Sequence, residues 1–427
     1  MRSFSPKLNV FQRLIRQWER LHPYNAAQAM RLAFDAPPDS IGRAWQQSIV
    51  ALGLGRVTVV EDRVQSDYES LAVSSTNLAD VGDETQFDTF LTNHLNTPFS
   101  DAALPYQPFY FRSASGTVIG LVYRHWVCDS VCIRALMHEW LKRLSATEQP
   151  SPGPLLTARH GYWHHFGPSA AGWPVFPGFL QQLTLAARLR RCRRVHVGRG
   201  ASMQVQVTNL RGSDGIVASI RQASRRRGIK VNDLFLAALA RTSEALSPLE
   251  PASRRSDLAL GTIVDLRSLQ GRPPGDAWGL FLGFTNTIVR SRILRDDERL
   301  LATIAAQSKL ARSGRQAQAS QVRMAFALAA GALLDDRNVK ELYRKRMPLA
   351  GGISNVTLQR SWAAEAHPKL ITEYMRFSPT GPFLPLVLTP TTLGDRLHLG
   401  ITVRSPADPS TGETIGRRFL DDLQKLL

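Results

Sequence analysis

The 427-residue sequence predicts a mixed fold of class α/β (α+β), divided into two halves, and three observations carry that expectation. Segments of strand-like and helix-like apolar spacing intermingle along the whole chain. One stretch rich in Pro, Gly, Trp and His, with no clear period, interrupts them. At about 100–200 residues per domain, the length supports two or three compact units, each large enough to bury a core without disulfides or metals. Hydrophobic residues at 43% and charged residues at 21% argue against wholesale disorder and a collagen-like chain.

In chain order, Tyr24 to Phe34 reads as a strand. After Pro37 and Pro38 come a helix near Ser40 to Leu52 and a short strand at Arg56 to Val60. Pro108 to Arg112, the turn residues Ser113 to Gly116 and the run Thr117 to Tyr123 form a β-hairpin signature. Beyond Asp129 the period changes, because Cys132, Leu136, Trp140 and Leu144 recur every four residues and make one helical stripe. These elements constitute a first subdomain, 1–145. Residues 146–200 read as a linker that ends in a basic stretch. The second subdomain, 201–427, opens with a strand at Met203 to Thr208 and a helix that Asp214 starts and Gly228 ends. Asn232 then caps a second apolar helix. Leu258 to Asp265, Thr285 to Val289, Ile371 to Phe377, Pro385 to Thr389 and Leu397 to Val403 read as strands, so both halves carry mixed sheets. No solenoid-length repeat or low-complexity tract is present.

The formal charge is +18, and only eight of the 53 basic residues are lysine. Arginine forks suit phosphate and carboxylate, although a coding bias gives the same composition. No window holds the roughly 18 apolar residues needed to cross a bilayer, and the N-terminal segment lacks an apolar signal core. The expected location is cytoplasmic. Cys128, Cys132 and Cys192 cannot build a disulfide framework, which agrees with a reducing compartment.

Chemistry concentrates at Leu121 to Ser130, LVYRHWVCDS, where a strand passes through a short turn into a helix. His125 at the strand end can project into a cleft, and Asp129 near the helix start can turn inwards and fix the loop through an ion pair. The segment resembles the HHxxxDG motif of condensation-domain and chloramphenicol-acetyltransferase-like acyltransferases. His22 to Ala26, Val231 to Ala240, Thr262 to Arg267, Gly279 to Ile288, Ser354 to Val356 and Tyr374 to Pro379 resemble further parts of those proteins in the same chain order. Arg124 occupies the first-histidine position, His125 the second, and Ser130 replaces the glycine.

The resemblance implies two subdomains, each a mixed sheet with helices, set in a V around a central tunnel. It implies His125 as general base and Asp129 as an orienting group; Arg267 is the candidate structural partner of Asp129, since a basic residue from the second half would hold the subdomains in register, the alternative being a solvated strand-end residue. Arg124, Ser130, Trp278, Asn286, Ser354 and Asn355 are the candidate tunnel residues. The implied reaction transfers an acyl group from a coenzyme A or carrier-protein thioester to an amine or hydroxyl, in natural-product or lipid biosynthesis. The donor is a substrate; no permanently bound cofactor and no metal is expected. Acceptor identity and oligomeric state leave no signature in the sequence.

Rival constellations fit less well. Cys132 lies on the apolar stripe, and Cys128, Cys132 and His138 lack paired knuckle spacing, which favours buried thiols over zinc. His160, His164 and His165 have no acidic residue at the motif distance and read as linker packing. Gly-x-Ser-x-Gly and P-loop patterns are absent. The run from Arg188 to Arg199, with Arg190, Arg191, Arg193 and Arg194, follows an apolar segment. It suits an acidic carrier protein, peripheral contact with an anionic membrane, or a solvated linker face. A non-catalytic scaffold of the same fold is the main alternative. Nucleic acid binding rests on charge alone, without a recognised motif, and is not expected.

Overall fold

A computed structural model of the protein describes every residue except 1–6, 68–77, 102, 146–175, 196, 198–201, 250–254, 268–277, 314, 359–369, 405 and 407. The first sheet is centred on β1 (Asn25–Leu32), which pairs antiparallel with β6 (Gly116–Arg124). A tight turn joins β6 to β5 (Tyr106–Ser113), as the hairpin signature predicts, and the short β4 (Ala79–Asp80) lies parallel at the edge. The other side of β1 is taken by β12 (Ile371–Phe377), so the second half of the chain lends a strand to the sheet of the first.

The second sheet runs in the order β7 (Val205–Arg211), β14 (Arg396–Arg404), β13 (Leu386–Leu393), β10 (Leu349–Ile353), β8 (Asp257–Asp265) and β9 (Leu282–Arg290). The short β11 (Val356–Thr357) lies beside β13. The central β10 is parallel to both neighbours while the outer pairs are antiparallel, which makes the sheet mixed. β2 (Arg56–Val60) and β3 (Arg63–Asp67) form a separate hairpin.

Helices cover these sheets. α1 (Val10–Glu19), α2 (Pro38–Ala51), α3 (Phe87–Asn96) and α4 (Ser130–Ser145) belong to the first half. Cys132, Leu136 and Trp140 on α4 are buried, and Trp140 packs on Trp45 of α2 with ring centroids 4.8 Å apart while its indole N–H donates to Ile41 O. Burying such aromatic surface is what holds an amphipathic helix on a sheet, at about 25 cal/mol per Å² removed from water. In the second half, α5 (Phe176–Leu189) precedes α6 (Ile216–Arg226) and α7 (Val231–Leu246). α8 (Asp297–Ser313), α9 (Gln316–Ala332), α10 (Asp336–Arg346) and α11 (Thr411–Lys425) follow. Phe235 of α7 and Phe419 of α11 close a second core over Leu386, Leu399 and Ile401.

Three sequence expectations are corrected. The cap of α6 is Gly215, in the left-handed region at φ 79°, and not Asp214; Gly228, at φ 62°, does terminate the helix. At α7 the carboxylate of Asp233 accepts from the Lys230 backbone N–H, so Asn232 lies inside the first turn and is not the cap. Finally, of the segment read as linker, 146–200, the described part at 176–195 contains a helix with packed residues. α5 buries Leu185 and Leu189, and Cys192 joins them against Ala259 and Ile288. Arg193 turns inwards to pair with Glu244 and the Ser247 carbonyl, whereas Arg188, Arg190 and Arg191 stay exposed. Arg199 and the three histidines at 160, 164 and 165 lie outside the described residues.

The two sheets meet where β12 crosses β13 and β14. Gly400 of β14 makes the approach: a Cβ there would overlap the Arg376 carbonyl and Thr389 Oγ1. Any side chain at 400 would push β12 away, and with it the residues β12 carries into the space between the sheets.

Candidate active site

A cavity of about 180 Å³ opens between the halves. The first half supplies Phe11, Ile15 and Trp18 of α1, together with Tyr24, His125 and Ser130. The second half supplies Asp265, Ser354, Asn355 and Arg376. A capping box between Asn9 and Gln12 starts α1. The same two side chains tie α1 to its surroundings, Asn9 Nδ2 to Leu280 O at 2.6 Å and Gln12 Nε2 to Trp126 O at 3.1 Å.

His125 follows the last residue of β6 and is almost fully buried. Its backbone N–H donates to Tyr24 O at 3.1 Å, and its ring sits between those of Tyr24 and Tyr123, with centroids 5.8 and 5.5 Å away. Nδ1 lies 3.0 Å from Cys128 O. A carbonyl only accepts, so Nδ1 carries the proton and Nε2 carries the lone pair. No group among the described residues bonds Nε2. Burial pushes the His125 pKa below the ordinary histidine value, and the Arg376 charge adds to this. The Cys128 carbonyl and the Asp129 charge oppose the shift without cancelling it. The imidazole is therefore neutral at pH 7 and able to accept a proton.

Asp129 is fully buried and faces away from the cavity. Oδ1 accepts from the backbone N–H of Val131 and Cys132 at the start of α4, at 3.0 and 3.3 Å. Oδ2 accepts from Arg267 Nη1 at 2.6 Å and from the Phe281 N–H at 2.9 Å. Burial alone would raise its pKa, but the Arg267 charge and these hydrogen bonds outweigh burial and hold it below the ordinary carboxylate value. Arg267 lies 4.4 Å above the Phe281 ring, with Asp265 Oδ1 a second acceptor 3.5 Å from Nη1. The His125 loop is thus tied to Arg267 and Phe281 of the second half through one carboxylate.

The remaining candidates divide. Ser130, Ser354 and Asn355 line the cavity. Arg124 lies away from the cavity, paired with Glu19 at 3.0 Å and Asp101 at 2.6 Å. Trp278 is packed behind the wall, donating to Tyr106 Oη at 3.2 Å, and Asn286 Oδ1 accepts from Arg323 at 2.7 Å. None of these last three lines the cavity. Burial raises the thiol of Cys128 well above its ordinary value and that of Cys132 to about 12, so neither is a thiolate at neutral pH. Among the described residues no group of His, Cys, Asp and Glu could hold a metal ion.

Sequence reasoning passed over Arg376, on β12, which is buried in the wall between Ser130 and Ser354. It also passed over Gln28, whose amide bonds Ser130 Oγ at 3.0 Å and accepts from Tyr374 Oη at 2.5 Å. The signal for α1, Asn9 and Gln12 at capping-box spacing with Phe11, Ile15 and Trp18 on one face, was present in the sequence.

No family model and no curated protein matches the chain. Solved structures do. The first condensation domain of the CDA synthetase is similar at 14% identity and a TM-score of 0.69, over 99% of this chain and 96% of that one. Trichothecene 15-O-acetyltransferase from Fusarium sporotrichioides is similar at 10% identity and 0.70, over 99% and 95%. The epimerization domain from the third module of tyrocidine synthetase B is similar at 12% and 0.63, over 99% and 96%. The chain therefore has the two-subdomain condensation-domain-like and chloramphenicol-acetyltransferase-like fold that its sequence resemblance implies. No helix among the described residues is long and apolar enough to cross a membrane.

Proposed function

We propose that the protein is an acyltransferase that moves an acyl group from a thioester, on coenzyme A or on a carrier protein, to an amine or hydroxyl acceptor. The carrying observation is the fixed tautomer of His125: Nδ1–H is held by Cys128 O, which leaves a neutral Nε2 lone pair available beside a cavity lined from both halves. In the proposed step Nε2 takes the proton of the acceptor as its oxygen or nitrogen attacks the thioester carbonyl. The tetrahedral intermediate then collapses with loss of the thiolate, which is protonated from the imidazolium. No acyl-enzyme is needed, in keeping with the protonated state of both nearby thiols. Asp129 takes no proton; its role is to fix the loop that carries His125. The fold is shared with a condensation domain and an acetyltransferase, which supports the reaction class.

The test is product formation. The purified protein is offered acyl-CoAs and acyl-carrier proteins with mixed amines and alcohols, and products are sought by mass. An acylated acceptor dependent on the protein supports the proposal. Carrier or lipid binding without any product would favour a scaffold.

A further inference from the structure

Arg376 is 3% exposed, yet no carboxylate among the described residues pairs with it. Nε donates to Ser130 Oγ at 3.0 Å, Nη1 to Ser354 O at 3.1 Å and Nη2 to Ser354 Oγ at 2.9 Å. A guanidinium has five N–H donors, so one remains on each Nη nitrogen. The other cation of the wall, Arg134, also donates to Ser130 Oγ, at 3.0 Å, and its charge acts on Asp265 as well as on Arg376. Burial, followed by repulsion from Arg134, pushes the Arg376 pKa down to about 10. A buried charge without a counter-ion is costly, and a bound anion would relieve that cost.

We infer that Arg376 is an anion subsite in the cavity beside His125, held in place by Ser130, and that a substrate of the transfer carries a carboxylate or phosphate group seated on it. The substrate part of this inference rests on the proposed acyltransfer; the subsite itself does not. Carboxylate and phosphate both match the paired N–H groups of a guanidinium. Ser130, at the position that resembles the motif glycine, acts as a positioning residue: its hydroxyl is what holds the Arg376 Nε from the first half among the described residues. Thr389 Oγ1 donates to the Arg376 carbonyl from the other side, where Gly400 leaves room for the approach.

Calorimetry without thioester or turnover tests the subsite, so its failure is separable from failure of the acyltransferase proposal. The probes are anions paired with neutral counterparts: benzoate with benzamide, phenylacetate with phenylacetamide, and phenyl phosphate with phenol. Wild-type protein should bind at least one anion about 10- to 100-fold more tightly than its neutral partner, the size expected for charge-assisted bonds. Which pair shows the preference identifies carboxylate or phosphate. Arg376→Gln should abolish the preference and leave neutral affinity unchanged, and Ser130→Ala should reduce it several-fold. If Arg376→Gln does not fold, Arg376→Lys, which keeps the charge and loses the fork, should weaken the preference. Equal binding of every pair, binding by none of the anions, or a preference that survives Arg376→Gln in folded protein would overturn the inference.

Discussion

Replacing Asp129 by Ala removes an acceptor of four hydrogen bonds at once, from Val131, Cys132, Phe281 and Arg267. The two helix-start bonds are an N-cap, worth about 1 kcal/mol. Breaking the buried pair costs about 3–5 kcal/mol, because the stranded Arg267 charge is desolvated with its side chain only 8% exposed. Asp265 stays 3.5 Å from Arg267 Nη1 and compensates part of the loss, which places the total near the lower end, about 3–4 kcal/mol. Urea unfolding followed by tryptophan fluorescence measures it, since Trp126 and Trp278 flank the pair in sequence. In a double-mutant cycle Arg267→Met should be costly alone but cheap once Asp129 is gone, giving a coupling of about 2 kcal/mol. Additive losses, within about 0.5 kcal/mol, would refute the view that this contact clamps the His125 loop to the second half.

Acid should release the same clamp. Because the folded pKa of Asp129 is depressed, its stabilisation is complete above the unfolded value near ~3.9 and is lost as pH falls through the folded value; acid titration of wild type against Asp129→Asn should show the difference there. For His125, also depressed, the neutral base persists below pH ~6.5, so kcat/KM should hold its plateau down through that value and fall only at lower pH. Exposed and buried arginines of the basic run should separate. Replacing Arg188, Arg190 and Arg191 by Gln should raise KM for a carrier-bound donor or weaken binding to anionic vesicles, with the wild-type interaction fading as salt screens over ~8 Å. Arg193→Gln should instead lower the unfolding midpoint through loss of Glu244.

Local pattern revealed the elements whose stability is local. The hairpin at 106–124 carries its turn chemistry in Ser113 to Gly116, and the stripe on α4 follows helical spacing. The His125 to Asp129 spacing was legible because it belongs to one turn. What escaped depends on partners distant in sequence. Ile371 to Phe377 reads correctly as a strand, but nothing in those seven residues says that they pair with β1 of the other half, and only that pairing brings Arg376 to the cavity. Trp278 and Asn286 flank the right region yet face Tyr106 and Arg323, because a side chain's direction follows from register, which spacing alone leaves open. Helices between 297 and 346 were not read; α9 is apolar on several sides, and its Phe326 is left exposed.

Turnover of His125→Ala, measured against wild type with the same thioester and acceptor, addresses the general-base role directly. Among the described residues lining the cavity, His125 Nε2 is the neutral base with its tautomer fixed, and such assistance contributes about 10²–10⁴-fold. The variant should fold, bind donor thioester with unchanged affinity, and lose kcat by that factor. A folded His125→Ala protein that turns over at the wild-type rate would contradict the assignment of His125 as the base.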